Sequence, residues 1–236
     1  MIEISTSILS VKEEDSMRTF YNLEAAKTDY FHIDVMDGKF VENNTSERML
    51  TYAESIKHIS NLPLDVHLMV EDIDGYIEQY IPLEPSFITI HYEACKNKEQ
   101  LMNCINKIKE NGIKCGLSIK PTTKVEEIYE YLPYIHMVLI MTVEPGKGGQ
   151  TLIPETLSKI EELKQYIEKE KMDVYIEADG GINEETIGEL KQVGIDIAVV
   201  GNAIIMSANY TEAINKIKKK IWKNKQKILK KKYICI

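Results

Sequence analysis

Cysteine is scarce in this 236-residue chain, and its four positions, Cys95, Cys104, Cys115 and Cys235, form no C-x-x-C pair. That excludes a zinc knuckle and a thioredoxin-type redox motif. No apolar run approaches the roughly 18 to 20 residues that a transmembrane helix needs. The opening Met-Ile-Glu-Ile-Ser lacks the basic region and long apolar stretch of a secretory signal. The expected compartment is a reducing cytoplasm, with the cysteines as small apolar residues. No stretch rich in Pro, Gly or Ser marks a linker, so residues 1–236 are expected to form one domain.

Acidic residues are missing from one place. From Ala213 to the end there are ten lysines and no Asp or Glu, whereas the preceding part holds 19 basic and 37 acidic residues. The net charge of −8 is therefore an average over a body at −18 and a tail at +10. An acidic body argues against a nucleic-acid-binding domain. At 44% hydrophobic and 28% charged, the composition is that of a globular protein and excludes disorder as the main state.

What the chain does have is alternation. Short β-rich runs fall at Glu3–Leu9, Tyr30–Val35, Leu64–Met69, Phe87–Tyr92, Lys114–Ile119, Met137–Thr142, Val174–Ala178 and Ile197–Val200. Helical patterns lie near 16–27, 46–60, 72–80, 97–111, 123–131, 154–170, 184–192 and 207–230. Asn111-Gly112 and Val193-Gly194 read as helix ends, and Asn183 before Glu184-Glu185 reads as an N-cap with acids in the first turn. Strict alternation demands a parallel sheet, and eight units of this size suit a single (β/α)₈ TIM barrel. A doubly wound open sheet is the competing topology.

In such a barrel, chemistry belongs at the C-terminal strand ends. Alternation places His32, Asp34 and Met36 on one face of strand two, His67 and Met69 on one face of strand three, and Asp179 at the end of strand seven. Two imidazoles and two carboxylates at one end make a mixed N/O site for Zn²⁺, Mn²⁺, Fe²⁺ or Co²⁺. Asp37 reads as a turn acid, and Asp65 as a group facing outward or standing behind the ligands. Three glycine-bearing segments follow strands six to eight: Val143 to Gln150 with Gly146, Gly148 and Gly149; Gly180-Gly181-Ile182-Asn183; and Gly201-Asn202-Ala203. Glycine serves plain turns, and it also lets backbone N–H groups approach a phosphate. The first segment is long enough for a lid. Met36, Met69 and Met141 read as core filler, or as a dry, polarizable wall beside the site.

These segments, with Ser7-Ile8-Leu9-Ser10 and His67-Leu68-Met69-Val70, resemble the ribulose-phosphate 3-epimerase family in order and spacing over residues 4–206. The resemblance implies a barrel isomerase that interconverts D-ribulose 5-phosphate and D-xylulose 5-phosphate in the pentose phosphate pathway. It implies one divalent metal ion per subunit, Zn²⁺ first, held by His32, Asp34, His67 and Asp179. Asp34 and Asp179 match the acid/base pair. Ser7, His67, Met36, Met69 and Met141 match substrate contacts, and Gly146, Gly148, Gly149, Gly180, Gly181, Gly201 and Asn202 fall in the phosphate loops. The partners implied are a small sugar phosphate and further copies of the chain as a homo-oligomer.

Some positions depart from the usual pattern: Thr6 for proline, Lys147 for an aromatic, Ala178 for valine and Asn202 for serine. Lys147 is expected to face solvent. An epimerase of a six-carbon ketose phosphate such as D-allulose 6-phosphate is the alternative, since it would use the same residues. In the tail, Ile214, Ile217, Ile221 and Ile228 recur at helical spacing. They are expected to pack on the barrel with lysines outward, against the alternatives of an anionic membrane, a partner or another subunit.

Overall fold

The structure, a computed structural model, describes the backbone of residues 2–232 and the side chains of residues 2–221. Eight strands close into a barrel in chain order, each parallel to its neighbours. They are β1 Glu3–Ser7, β2 Tyr30–Met36, β3 Leu64–Met69, β4 Phe87–His91, β5 Lys114–Ile119, β6 Met137–Met141, β7 Tyr175–Asp179 and β8 Ile197–Val200. The helices are α1 Ser16–Ala25, α2 Ser46–Ile59, α3 Ile73–Tyr80, α4 Lys98–Glu110, α5 Glu155–Glu170, α6 Ile187–Val193, α7 Asn202–Ile205 and α8 Tyr210–Lys232. The fold is a (β/α)₈ barrel, and the open-sheet alternative is excluded by the β1–β8 pairing.

The period-2 pattern of the strands sorts residues between two cores. Ile33 and Val35 of β2, Val66 and Leu68 of β3, and Ile176 and Ala178 of β7 face the helices. There they meet buried helix residues such as Ile56, Ile105, Ile160 and Leu163. Each such aliphatic side chain contributes about 1.5–3 kcal/mol when fully buried. Inside the barrel, Phe87, Met137 and Ile197 close the N-terminal end. Polar groups fill the rest toward the C-terminal mouth, with Ser5, His32, Asp65, His67 and Glu177 all buried.

The structure corrects several boundaries. Residues 123–131 were expected to be α-helical, but Val125–Tyr134 is a 3₁₀ helix containing Pro133. Proline lacks the N–H for an α-helical bond and biases the preceding residue away from α geometry. The regular helix expected from 184 starts at Ile187, after a turn that Asn183 caps as expected, its side chain accepting from the N–H groups of Glu185 and Thr186. The last helix was expected from 207 and starts at Tyr210, after the short unforeseen α7. Gly112 and Gly194 do end helices, at φ +75° and +99°.

On α8, Ile214, Ile217 and Ile221 are buried in the helix–barrel core, as the stripe predicts. The side chain of Ile228 lies outside the described residues, as do residues 233–236 of the tail. Among the described residues, no helix is long and apolar enough to cross a membrane.

Candidate active site

Strand register brings the four expected ligands together. Asp34 of β2 pairs with His67 of β3, and Asp179 of β7 lies between Met141 of β6 and Val199 of β8. His32 Nε2 is 3.4 Å from Asp34 Oδ1. His67 Nδ1 is 3.7 Å from Asp34 Oδ1 and 3.7 Å from Asp179 Oδ2. One donor atom from each of the four residues lies within 4.8 Å of the others.

Hydrogen bonds orient both rings. His32 Nδ1 is 2.6 Å from Asp65 Oδ2, and His67 Nε2 is 2.9 Å from His91 Nε2. The opposite nitrogens, His32 Nε2 and His67 Nδ1, are buried without a hydrogen-bond partner and face the carboxylates. Burial opposes charge on His32, yet the charges of Asp65 and then Asp34 push its pKa well above the ordinary histidine value. Burial likewise opposes charge on His67, while Asp179 and Asp34 raise it. Burial would raise Asp34, but His32 and His67 hold it far below the usual carboxylate range. The cluster therefore favours positive charge at its centre. Two unpartnered imidazole nitrogens and two carboxylates fit a divalent cation such as Zn²⁺, Mn²⁺, Fe²⁺ or Co²⁺.

A layer of polar residues supports this cluster. Ser7 Oγ donates to Asp34 Oδ2 at 2.6 Å, and Ser5 Oγ donates to Asp65 Oδ2 at 2.7 Å. Asp65 thus stands behind His32. Glu177, two residues before Asp179, is fully buried, and burial together with the charge of Asp65 raises its carboxyl well above the usual range. On the other side, His91 Nδ1 is 3.2 Å from Glu93 Oε2. Ser5, His91, Glu93 and Glu177 were missed by the sequence reading. Strand parity could have found three of them, since Ser5 has the inward parity of Ser7, His91 that of Phe87 and Glu177 that of Asp179.

Above the cluster opens a cavity of about 410 Å³. Ser7, Asp34, Asp179 and the three methionines Met36, Met69 and Met141 form its floor and walls. His32 and His67 are fully buried and do not line it, so His67 meets the cavity only through its carboxylate neighbours. The three glycine segments, with Leu9, Ser10 and Val199, supply the rest of the wall. Gly180 and Gly181 have φ of +122° and +67°. A Cβ on Gly181 would stand 2.3 Å from Leu152 N, so only glycine fits this close approach. Ser10 Oγ donates to Asn202 Oδ1 at 2.7 Å. That turns the Asn202 Nδ2 donor away from Ser10, toward the space beside Gly149.

Two loops meet over one side of the cavity. Asn43, in the β2–α2 loop, donates from Nδ2 to Gly146 O at 2.5 Å. Asp37 is the expected turn acid: Oδ1 accepts from Lys39 N and Phe40 N, and Oδ2 accepts from Glu71 N. Lys147 lines the rim with its side chain 67% exposed, 3.9 Å from Glu42. It faces solvent, as expected.

The site and the barrel have relatives. Residues 3–205 match the sequence model of the Ribulose-phosphate 3 epimerase family. The ribulose-phosphate 3-epimerase of Bacillus subtilis is 38% identical over 92% of this chain and 99% of its own length. That of Helicobacter pylori is 36% identical over 90% of this chain and 95% of its own. Among solved structures, 3-hexulose-6-phosphate synthase from Salmonella typhimurium superposes with a TM-score of 0.68 at 13% identity. That match covers 94% of this chain and 100% of the other, and it speaks for the fold alone. The family match spans all eight strands, and the two relatives are more than one-third identical over nine-tenths or more of both chains: the chain belongs to the ribulose-phosphate 3-epimerase family and is an isomerase-class epimerase.

Proposed function

We propose that the protein interconverts D-ribulose 5-phosphate and D-xylulose 5-phosphate by proton transfer at carbon 3. The observation that carries this reading is the pairing of Asp34 and Asp179, which reach one cavity from strands β2 and β7 and share His67 as a neighbour. Inverting a carbon beside a ketone means removing a proton from one face and returning one to the other. Two acid/base groups on separate strands meet that need, where a single base tends to return the proton to the face it left.

In this reading the carboxylate on one side takes the carbon-3 proton, and the acid on the other side delivers one. The roles exchange in the reverse direction. Ser7 holds Asp34 through its Oδ2, fixing the oxygen that faces the site. Met36, Met69 and Met141 exclude water around the enediolate while it is planar. The glycine segments and Asn202 take the phosphate, which sets which face of carbon 3 meets which carboxylate. His32, His67, Asp34 and Asp179 would hold the divalent cation. When bound, it would supply positive charge that stabilises the enediolate, a contribution of several kcal/mol.

The names of the relatives support a pentose phosphate rather than a six-carbon substrate. The reading extends to Zn²⁺ as the ion and to a one-domain, cytoplasmic homo-oligomer serving the pentose phosphate pathway. The test is a coupled assay comparing kcat/KM for D-ribulose 5-phosphate and D-allulose 6-phosphate, with elemental analysis of the same sample. A higher value for the pentose supports the reading, and a higher value for the hexose overturns it.

A further inference from the structure

The strand-end ligands are backed on one side by a chain of side chains that the sequence motifs do not explain. Glu93 follows β4, and its Oε1 accepts from Lys120 N at 2.7 Å and from the Thr123 hydroxyl. Its Oε2 faces His91 Nδ1 at 3.2 Å. Burial works to raise the Glu93 carboxyl, but the donors from His91, Thr123 and Lys120 overcome it and hold it below the usual carboxylate value. An ionised carboxylate only accepts hydrogen bonds, so His91 Nδ1 must carry the hydrogen.

His91 is fully buried, and in the neutral ring the hydrogen facing Glu93 sits on Nδ1 alone. Its Nε2 is then a lone pair, 2.9 Å from His67 Nε2. Two lone pairs cannot bond each other, so His67 Nε2 carries the hydrogen and donates. In the neutral ring that a cation requires of its ligand, the remaining nitrogen of His67, Nδ1, presents its lone pair toward Asp34 and Asp179. The Phe40 ring covers His91 at 4.9 Å between centroids, and Lys120 Nζ lies 4.2 Å from the centre of the Phe40 ring.

We propose that His91 and Glu93 are a positioning pair that fixes the tautomer of His67, keeping its Nδ1 lone pair on the site and thereby raising the site's affinity for a divalent cation. This rests on the metal reading given above. A histidine ligand whose far nitrogen is held by a partner is better oriented and more basic, and losing such a partner costs about 10- to 100-fold in metal affinity.

The near-isosteric variant Glu93→Gln tests the pair. Lys120 N and Thr123 still claim the amide oxygen, so the amide NH₂ faces His91 Nδ1 and reverses its tautomer. His91 Nε2 then carries a hydrogen toward His67, whose own hydrogen must move to Nδ1. Full-length wild-type protein and variant, stripped with a chelator, are titrated with Co²⁺. Ring ¹⁵N–¹H spectra of the stripped proteins are recorded at a pH where the imidazoles are neutral.

The expected result is a Kd for Co²⁺ weakened about 10- to 100-fold in Glu93→Gln, with the His67 hydrogen moved from Nε2 to Nδ1 and circular dichroism unchanged. A mere loss of nearby charge would weaken binding without moving that hydrogen. A folded Glu93→Gln protein with wild-type affinity, or with the His67 tautomer unchanged, overturns the proposal. If that variant does not fold, His91→Phe removes the acceptor while keeping a ring, and wild-type affinity there overturns it equally. Wild-type protein that takes up no Co²⁺ overturns the metal reading instead, while the wild-type spectrum still shows whether the pair sets the tautomer.

Discussion

Ser7 Oγ donates to Asp34 Oδ2 at 2.6 Å, which leaves Oδ1 as the oxygen that faces both His32 and His67. The first strand therefore orients the carboxylate of the second. A hydrogen bond to an ionised group contributes about 1.5–3 kcal/mol. Ser7→Ala is expected to lower kcat/KM about 10- to 100-fold and to lower Tm by several degrees, as steady-state kinetics and thermal unfolding will show.

Removing the cation has two expected effects. A chelator abolishes most activity, and Zn²⁺, Mn²⁺ or Co²⁺ restores it. The Tm also falls, because a ligand at 100 times its Kd stabilises the native state by about 2.7 kcal/mol. Full activity in protein shown by elemental analysis to be free of metal would contradict this account.

Acid is expected to release the loop anchored by Asp37. Burial would raise this carboxyl, but the N–H groups of Glu71, Lys39 and Phe40 lower it below the ordinary value of 3.8. The unfolded chain then binds the proton more readily than the native state does. The stability contributed by Asp37 is thus complete above about pH 3.8 and is lost as the pH falls below it. Urea unfolding of wild type and Asp37→Asn should differ above that pH and converge under stronger acid.

Gly181→Ala tests the phosphate wall. At φ +67°, with Leu152 N only 2.3 Å from the added Cβ, the backbone must shift. The expected cost is about 1–3 kcal/mol of stability, with a raised KM for the sugar phosphate, read from thermal unfolding and kinetics.

All eight strands were legible in the sequence because β-branched apolar runs alternate with polar, periodic stretches. The same period-2 rule placed His32, Asp34, His67 and Asp179 on the inner face. Elements that depend on contacts distant in sequence were not legible. Residues 125–134 wind as a 3₁₀ helix around Pro133, and α7 has only four residues, too few for a periodic signal. Asp65 was legible as a group outward or behind the ligands, and the choice between the two is made by His32, 33 residues earlier in the chain. Glu93 acquires its role only through Lys120 and Thr123, which β5 brings back beside β4. Buried polar residues of this kind have no local pattern, since what makes their burial tolerable is a partner on another strand.

The central claim is that Asp34 and Asp179 work on opposite faces of carbon 3. The most direct measurement follows deuterium at carbon 3 in D₂O, for wild type, Asp34→Asn and Asp179→Asn. Wild type should form epimer carrying solvent deuterium. Each variant should epimerise about 10²- to 10⁴-fold more slowly, with any residual deuterium exchange confined to one epimer, and to opposite epimers in the two variants. Epimerisation near the wild-type rate in either variant, or product that keeps its original hydrogen, would contradict the account.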